Sequence, residues 1–498
     1  RVGGNVDANS PHAVTLAASE LDAATTFSDY TLTNDPTTLV SGTNYNITFS
    51  ATDSAGNQSL DFVETPVFYD TTAPTAALTY SHYFASEDTV VTITATFNER
   101  ALPIPQIAID YQGAGSDVSA TNMTVGADST IWTYAATIPA GETNNGIASI
   151  AITTTDLALN ALRAVDVTNS DTLEVDNTLP TVVITYSDSL VKEDDVVNIT
   201  ATFNEKMTGS PQIAIDYAGA GADVAATNMT QVNDTEWAYN NITIPDGNDG
   251  AALVSIISED LSGNTLTNAN TSFRSLLRVD NTHPTFTLLS PDSGNYVNSR
   301  NVGYKLSETS FSGSITWTRV GGNVDANSPH AVTLAASELD AATTFSDYTL
   351  TNDPTTLVSG TNYNITFSAT DSAGNQSLDF VETPVFYDTT APTAALTYSH
   401  YFASEDTVVT ITATFNERAL PIPQIAIDYQ GAGSDVSATN MTVGADSTIW
   451  TYAATIPAGE TNNGIASIAI TTTDLALNAL RAVDVTNSDT LEVDNTLP

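Results

Sequence analysis

The chain has no cysteine. No disulfide can staple it, no thiolate can bind a metal or attack a carbonyl, and each folded unit must rely on its apolar core. Basic residues are also scarce, with 12 Lys and Arg against 58 Asp and Glu and a net charge of −46. Binding to nucleic acid needs Lys and Arg clustered against the phosphates, so that class of partner is excluded. Only three distinct histidines occur, His12, His82 and His283, with second copies at His330 and His400. None has the spacing of a metal site or a catalytic triad. Glycine clusters such as RVGGN lack the following helix that a phosphate loop requires. No run is apolar enough for a signal peptide or a membrane span. No catalytic constellation remains, and the chain reads as a non-enzyme.

What the chain does have is repetition. Residues 319–498 repeat residues 1–180 letter for letter, a period of 318. A shorter period lies inside it. YDTTAPT at 69–75, VDNTLPT at 175–181, VDNTHPT at 279–285 and YDTTAPT at 387–393 place their last Thr at 75, 181, 285 and 393, so the steps are 106, 104 and 108. Repeats of this kind set the architecture before any single residue does. The expected modules are residues 72–177 (type A), 178–281 (type B), 282–389 (type C) and 390–498 (a second type A). Residues 1–71 correspond to the C-terminal part of type C. That part lacks the first strands of its module and is expected to be unable to close a core alone, as in a window cut from a longer array. Types A and B are visibly related: ITATFNER at 93–100 matches ITATFNEK at 199–206, and PQIAIDYQGAGSDV at 105–118 matches PQIAIDYAGAGADV at 211–224.

Apolar residues recur with period two. Val91, Ile93, Ala95 and Phe97 alternate with threonines, as do Val197, Ile199, Ala201 and Phe203 with polar neighbours. In β-branched and aromatic company this alternation predicts half-buried strands. Gly, Asn, Asp and Pro break the runs every 8 to 15 residues, and no helical stripe is present. About seven strands per hundred residues predicts an all-β chain of tandem immunoglobulin-like β-sandwiches, arranged end to end as a rod. Trp132, Trp237 and Trp317 read as core aromatics.

The stretch ATDSAGNQS at 51–59 followed by YDTTAPT, and the shared TATFNE and PQIAIDY segments, resemble the bacterial Ig-like tandem repeats of giant extracellular adhesin and stalk proteins. The resemblance implies an extended stalk at the cell surface or in the extracellular space, commonly stiffened by Ca²⁺ between modules. Type A departs from it, carrying DLALN where the familiar turn has Gly. An intramolecular isopeptide bond, common in such stalks, needs a buried Lys; type A has no Lys, and Lys305 of type C falls on the outward phase.

The recurring linker Asp has two readings. In the first it only caps a turn before a proline. In the second it is a Ca²⁺ ligand. In a sandwich, the end of the second strand and the turn between the last two strands share the pole where the chain enters. That would gather Asp70, Glu99 and Asp156; Asp176, Asn177, Glu205 and Asp260; Asp280, Glu308 and Asp371; and Asp388, Glu417 and Asp474. Glu87, Asp88 and Asp194 would be added from the preceding module. Carboxylates gathered without Lys or Arg suit Ca²⁺, which takes six to eight oxygens, and the logic resembles that of cadherin linkers. The pairs Asp110/Asp117 and Asp216/Asp223, flanking GAG turns, read as solvated loops. Eleven Asn-x-Ser/Thr sequons occur, as chance allows in a chain this rich in Thr and Ser. Expected partners are neighbouring modules and other copies of the chain. The rival to a structural role is a set of adhesive modules recognising glycan, ice or a partner surface, signalled by a flat Thr array or an aromatic row.

Overall fold

A computed structural model describes residues 3–34, 38–219, 223–353 and 356–497. Strands and turns make up the described residues, and the only helices among them are seven three-residue 3₁₀ turns. None is long and apolar enough to cross a membrane.

Type A shows how the period-two pattern becomes a sandwich. Val90–Phe97 turns Val91, Ile93, Ala95 and Phe97 inward at 0–4% exposure, leaving Thr92, Thr94 and Thr96 on the other face. It pairs antiparallel with Ala76–Tyr80 and Ile131–Thr137, and the five-stranded sheet is completed by Thr124–Val125 and a short parallel strand, Val167–Thr168. The facing sheet orders Phe84–Ala85, Leu173–Val175, Gly146–Thr153, Gln106–Asp110 and Val118–Asn122. Ten strand segments therefore replace the expected seven or so. The first strand, the last strand and the strand running from Val118 to Val125 each break and cross from one sheet to the other, so that each counts twice. Between the sheets lies one cluster of buried residues, including Leu78, Ile93, Ile107, Ile109, Trp132 and Leu173.

Type B repeats the plan around Ile184, Ile199, Ile213 and Trp237. Its second sheet is divided at Ala252, between Gly250–Ala251 and Leu253–Ile257. Type C is the most divergent. Phe286–Ser290, Val302–Leu306 and Phe345–Tyr348 face a sheet whose long strands are Ser312–Gly322, Thr361–Thr370 and Phe380–Tyr387. Trp132, Trp237 and Trp317 are all core residues, at 7, 6 and 1% exposure. Residues 3–69 form only a three-stranded sheet of Gly3–Gly4, Thr43–Phe49 and Phe62–Tyr69.

Candidate metal centre at the module junctions

Each linker Asp is built into two modules at once. Leu173–Val175 runs parallel to Phe84–Ala85, and the ladder continues one residue further, where the Asp176 N–H donates to the Ala85 carbonyl at 3.1 Å. On its other side the Asp176 carbonyl accepts from Asn264 Nδ2 of the next module at 2.8 Å. The same strap joins Asn160 to Asp70, Asn375 to Asp280 and Asn478 to Asp388, at 3.0, 2.7 and 2.9 Å. The proline that follows removes a donor and holds its own φ, so the linker has little freedom left.

The strapping Asn ends a tight turn. Asp260 Oδ1 accepts the N–H groups of Ser262 and Asn264 at 2.8 and 2.9 Å, and Oδ2 accepts Asn264 Nδ2 at 2.8 Å. These bonds leave Asp260 only 1% exposed, and Asp156, Asp371 and Asp474 are buried in the same way. The turn needs a left-handed residue, supplied by Gly263 at φ 89° and Gly374 at φ 90°. In type A, Leu159 and Leu477 take the same region at φ 68° and 72°. The missing glycine therefore does not mark a different loop. Leucine bears the strain of the same one.

This architecture brings three carboxylates together four times: Asp70, Glu99 and Asp156; Asp176, Glu205 and Asp260; Asp280, Glu308 and Asp371; Asp388, Glu417 and Asp474. Within each group one oxygen per residue lies within 4.8 Å of the others. Two oxygens on one Ca²⁺, each at about 2.3–2.6 Å, are at most about 5 Å apart, so the spacing fits a shared ion. No Lys or Arg forms an ion pair with any of the twelve among the described residues. Burial pushes the Glu99, Glu205, Glu308 and Glu417 carboxyls above the ordinary glutamate range, and the two aspartates beside each add to it. Glu308 Oε1 is buried without a hydrogen-bond partner. At an effective dielectric constant near 20, each pair of like charges at this distance repels by on the order of 3 kcal/mol.

Other expected ligands stand elsewhere. Glu87, Asp88 and Asp194 are exposed and belong to none of the four groups. Asp88 and Asp194 sit at φ 62° and 64° in turns whose N–H groups bond to Ile138 and Ile244 of their own modules. The loop does reach the next module, but through backbone, from the Ser86 N–H to the Ser262 carbonyl at 3.1 Å. Asn177 faces the preceding module, its Nδ2 donating to the Pro139 and Gly141 carbonyls at 3.0 and 2.9 Å. Asp117 and Asp223 each close their turn on the N–H of Tyr111 and Tyr217 at 3.0 Å; residues 220–222 of the second turn lie outside the described residues.

Sequence reasoning missed one cluster. Asp325 accepts from Tyr363 Oη at 2.5 Å and lies 2.6 Å from His330 Nε2, all three being buried. Asp7, Tyr45 and His12 repeat the arrangement. The spacing DANSPH carried the signal, but the tyrosine lies 38 residues further on.

No protein-family profile and no curated protein matches the chain. Solved structures with some likeness include the fibronectin(III)-like modules of Clostridium thermocellum CbhA, at 14% identity and a TM-score of 0.19, over 41% of this chain and 94% of that one. The FN1–FN3 domains of chicken CNTN1 share 15% identity at a TM-score of 0.22, over 60% and 94%. Murine CEACAM1b shares 14% at 0.19, over 42% and 100%. Among the described residues the chain is all-β, built of two-sheet sandwiches in tandem.

Proposed function

We propose that this is a structural, non-enzymatic segment of tandem Ig-like modules that spans distance outside a cell, with Ca²⁺ stiffening its junctions into a stalk or filament. Module limits near 71, 177, 281 and 389 belong to this reading. The observation that carries it is the recurrence of one arrangement at four linkers: an Asp bonded to both modules beside a Glu and a buried Asp, without a counter-cation. Asp176, Glu205 and Asp260 would hold the ion at one junction, and their counterparts at the other three. The ion would cancel the repulsion among the carboxylates and, with the single hydrogen bond of the Asn strap, hold the two modules in one orientation. One surface cleft is lined by Pro103, Ile104, Gln106, Asn122 and Thr153–Thr155.

Extracellular modules bind Ca²⁺ with dissociation constants of about 10⁻⁴–10⁻³ M, so the sites would fill outside a cell and stay empty in cytosol. Calorimetric titration of the chain with CaCl₂ should show four sites, and Glu205→Gln with Asp260→Asn should remove one. Small-angle scattering should show a shorter mean length after EDTA treatment. A chain that takes up no Ca²⁺, or whose scattering EDTA leaves unchanged, would reduce the linker acids to solvated turns.

A second reading, adhesive modules for glycan, ice or a partner surface, is favoured by one feature. Thr79, Thr94, Thr133 and Thr124 stand in register across four strands of type A, about 4.8 Å apart. In type B the row is broken by Ala238, which pairs with Thr200. Binding that tracks type A and is lost when Thr94→Lys is combined with Thr412→Lys in the second type A copy would support it.

A further inference from the structure

Ten non-glycine residues among the described ones have a positive φ, and eight of them are Asp or Asn. The other two are Leu159 and Leu477, in the same turn of the two type A copies. They are 79 and 71% exposed, so neither is held there by the core. Types B and C place Gly263 and Gly374 at this point without steric cost. A strained backbone that carries an apolar side chain into water points to a use for that side chain. Two more differences stand beside it. Type A has Arg163 and Asp166, or Arg481 and Asp484, where type B has Thr267 and Asn270.

These side chains meet in a cleft between type C and the second type A. Its walls include Asn298 of type C, Thr389 and Thr390 of the linker, and Leu477, Arg481 and Asp484 of type A. Arg481 grips Asp484 at two points, Nε to Oδ2 at 2.6 Å and Nη2 to Oδ1 at 3.1 Å. Its Nη1 donates to no protein atom among the described residues, and the side chain is 68% exposed. The pair thus sets guanidinium donors beside carboxylate lone pairs. Asn298 and Thr389 are exposed and add an amide and a hydroxyl.

A ligand for this cleft must offer an apolar patch to Leu477 and, at its rim, groups that both donate and accept hydrogen bonds. A pyranose ring does both, with C–H groups on its face and hydroxyls around its edge. The lining side chains sum to zero charge, which selects neither an anion nor a cation. The net charge of −46 further repels an anionic sugar. We propose that this cleft binds a neutral saccharide, with Leu477 under the ring and the Arg481–Asp484 pair on two adjacent hydroxyls. The site rests on neither the Ca²⁺ reading nor the threonine row, because no lining residue is one of the twelve clustered carboxylates or a member of that row.

The test is affinity electrophoresis of the 498-residue chain in native gels containing dextran, mannan or xyloglucan, with polygalacturonate as the anionic control, all in EDTA. At least one neutral polysaccharide should retard the chain, and polygalacturonate should not. Leu159→Gly with Leu477→Gly changes both type A copies and should weaken that binding by about tenfold or more. The same pair should raise Tm, whereas a merely structural leucine would lower it on removal. Arg163→Ala with Arg481→Ala should weaken binding comparably, and Thr94→Lys with Thr412→Lys should leave it unchanged. No retardation by any neutral polysaccharide, retardation by polygalacturonate alone, or binding that survives either the leucine or the arginine pair would each overturn the proposal. Binding that appears only when CaCl₂ replaces EDTA would overturn it too, by placing the sugar on the ion. A chain that binds saccharide in EDTA yet takes up no Ca²⁺ would refute the junction reading and support this one.

Discussion

Residues 3–69 and 321–387 are one sequence in two surroundings. Thr361–Thr370 is a ten-residue strand that alternates buried and half-buried along its whole length; its counterpart, Thr43–Phe49, has seven residues and loses the alternation after Tyr45. Short-range structure is nevertheless the same in both. Each copy has the Ala-Ser-Glu 3₁₀ turn closed by a buried Glu, the Asp–His–Tyr cluster, and the turn in which Asp53 or Asp371 is bonded to Asn57 or Asn375. What differs is everything that depends on strands contributed from 286–318. The two type A copies act as a control: with identical sequence and equivalent surroundings, Val91 and Val409, or Trp132 and Trp450, reach the same burial. Sequence decides the turns. Surroundings decide whether an apolar face becomes a core.

The sharpest way to break this comparison is to make the same substitution at both places. Phe367→Ala should destabilise type C by about 3–5 kcal/mol, since it empties a fully packed site. Phe49→Ala, at an exposed position, should change stability by no more than about 0.5 kcal/mol. Hydrogen exchange in residues 296–318, which have no second copy, separates the two effects; equal losses of protection would refute the distinction. The next largest effect concerns the linker strap. Asn375 Nδ2 bonds both Asp280 and Asp371 and is buried, whereas Asn57 bonds only Asp53 and is exposed. Asn375→Ala should cost about 1–3 kcal/mol through the unpaired buried carboxylate and carbonyl. Asn57→Ala should fall within the error of a melting curve.

A smaller effect should come from the turn that types A and C share. Leu159→Gly relieves a left-handed leucine and should stabilise type A by up to about 1 kcal/mol, part of the gain being lost to the entropy of the unfolded chain. Gly374→Ala should destabilise type C by about the same amount, read as opposite shifts in Tm. The smallest effect is acid sensitivity. Hydrogen bonds from Tyr45 and His12 hold the Asp7 carboxyl down at about 2. Burial opposes ionisation of Asp325, but the Tyr363 and His330 bonds outweigh it and keep that carboxyl low too. Both native values lie below the ordinary one, so this stabilisation is complete above about pH 4 and is lost as pH falls toward 2. The loss should occur in both copies, because all three residues of the cluster lie within 3–69 and within 321–387. NMR titration of the two carboxyls should show both below the range of a free aspartate.

The candidate junction site was legible in the chain only in part. Asp, Glu and Asn recurring at the same three places in each module identified the four groups now seen together. The spacing of about a hundred residues between linkers fixed which Glu and which turn belong to which linker. What could not be read was direction. Glu87 and Asp88 are as acidic and as near the junction as Glu205, but a left-handed turn points that loop's backbone, not its carboxylates, at the next module. Asn177 sits beside Asp176 and is turned the other way, into the preceding module. The Asp325–His330–Tyr363 cluster was invisible for a related reason, because its tyrosine comes from a strand laid alongside only when the sheet forms.

By itself the sequence determined the repeat, the all-β class, the inward residues of each strand and the identity of the turns. These follow from period-two alternation and from the local backbone preferences of Gly, Asn, Asp and Pro, which act over a few residues wherever they occur. Tertiary structure decided how the first and last strands of a module divide between its sheets, which carboxylates meet at a junction, and whether Phe49 and Phe367 lie in water or in a core. Each of these depends on a surface supplied from tens of residues away, and burial is a property of two surfaces in contact.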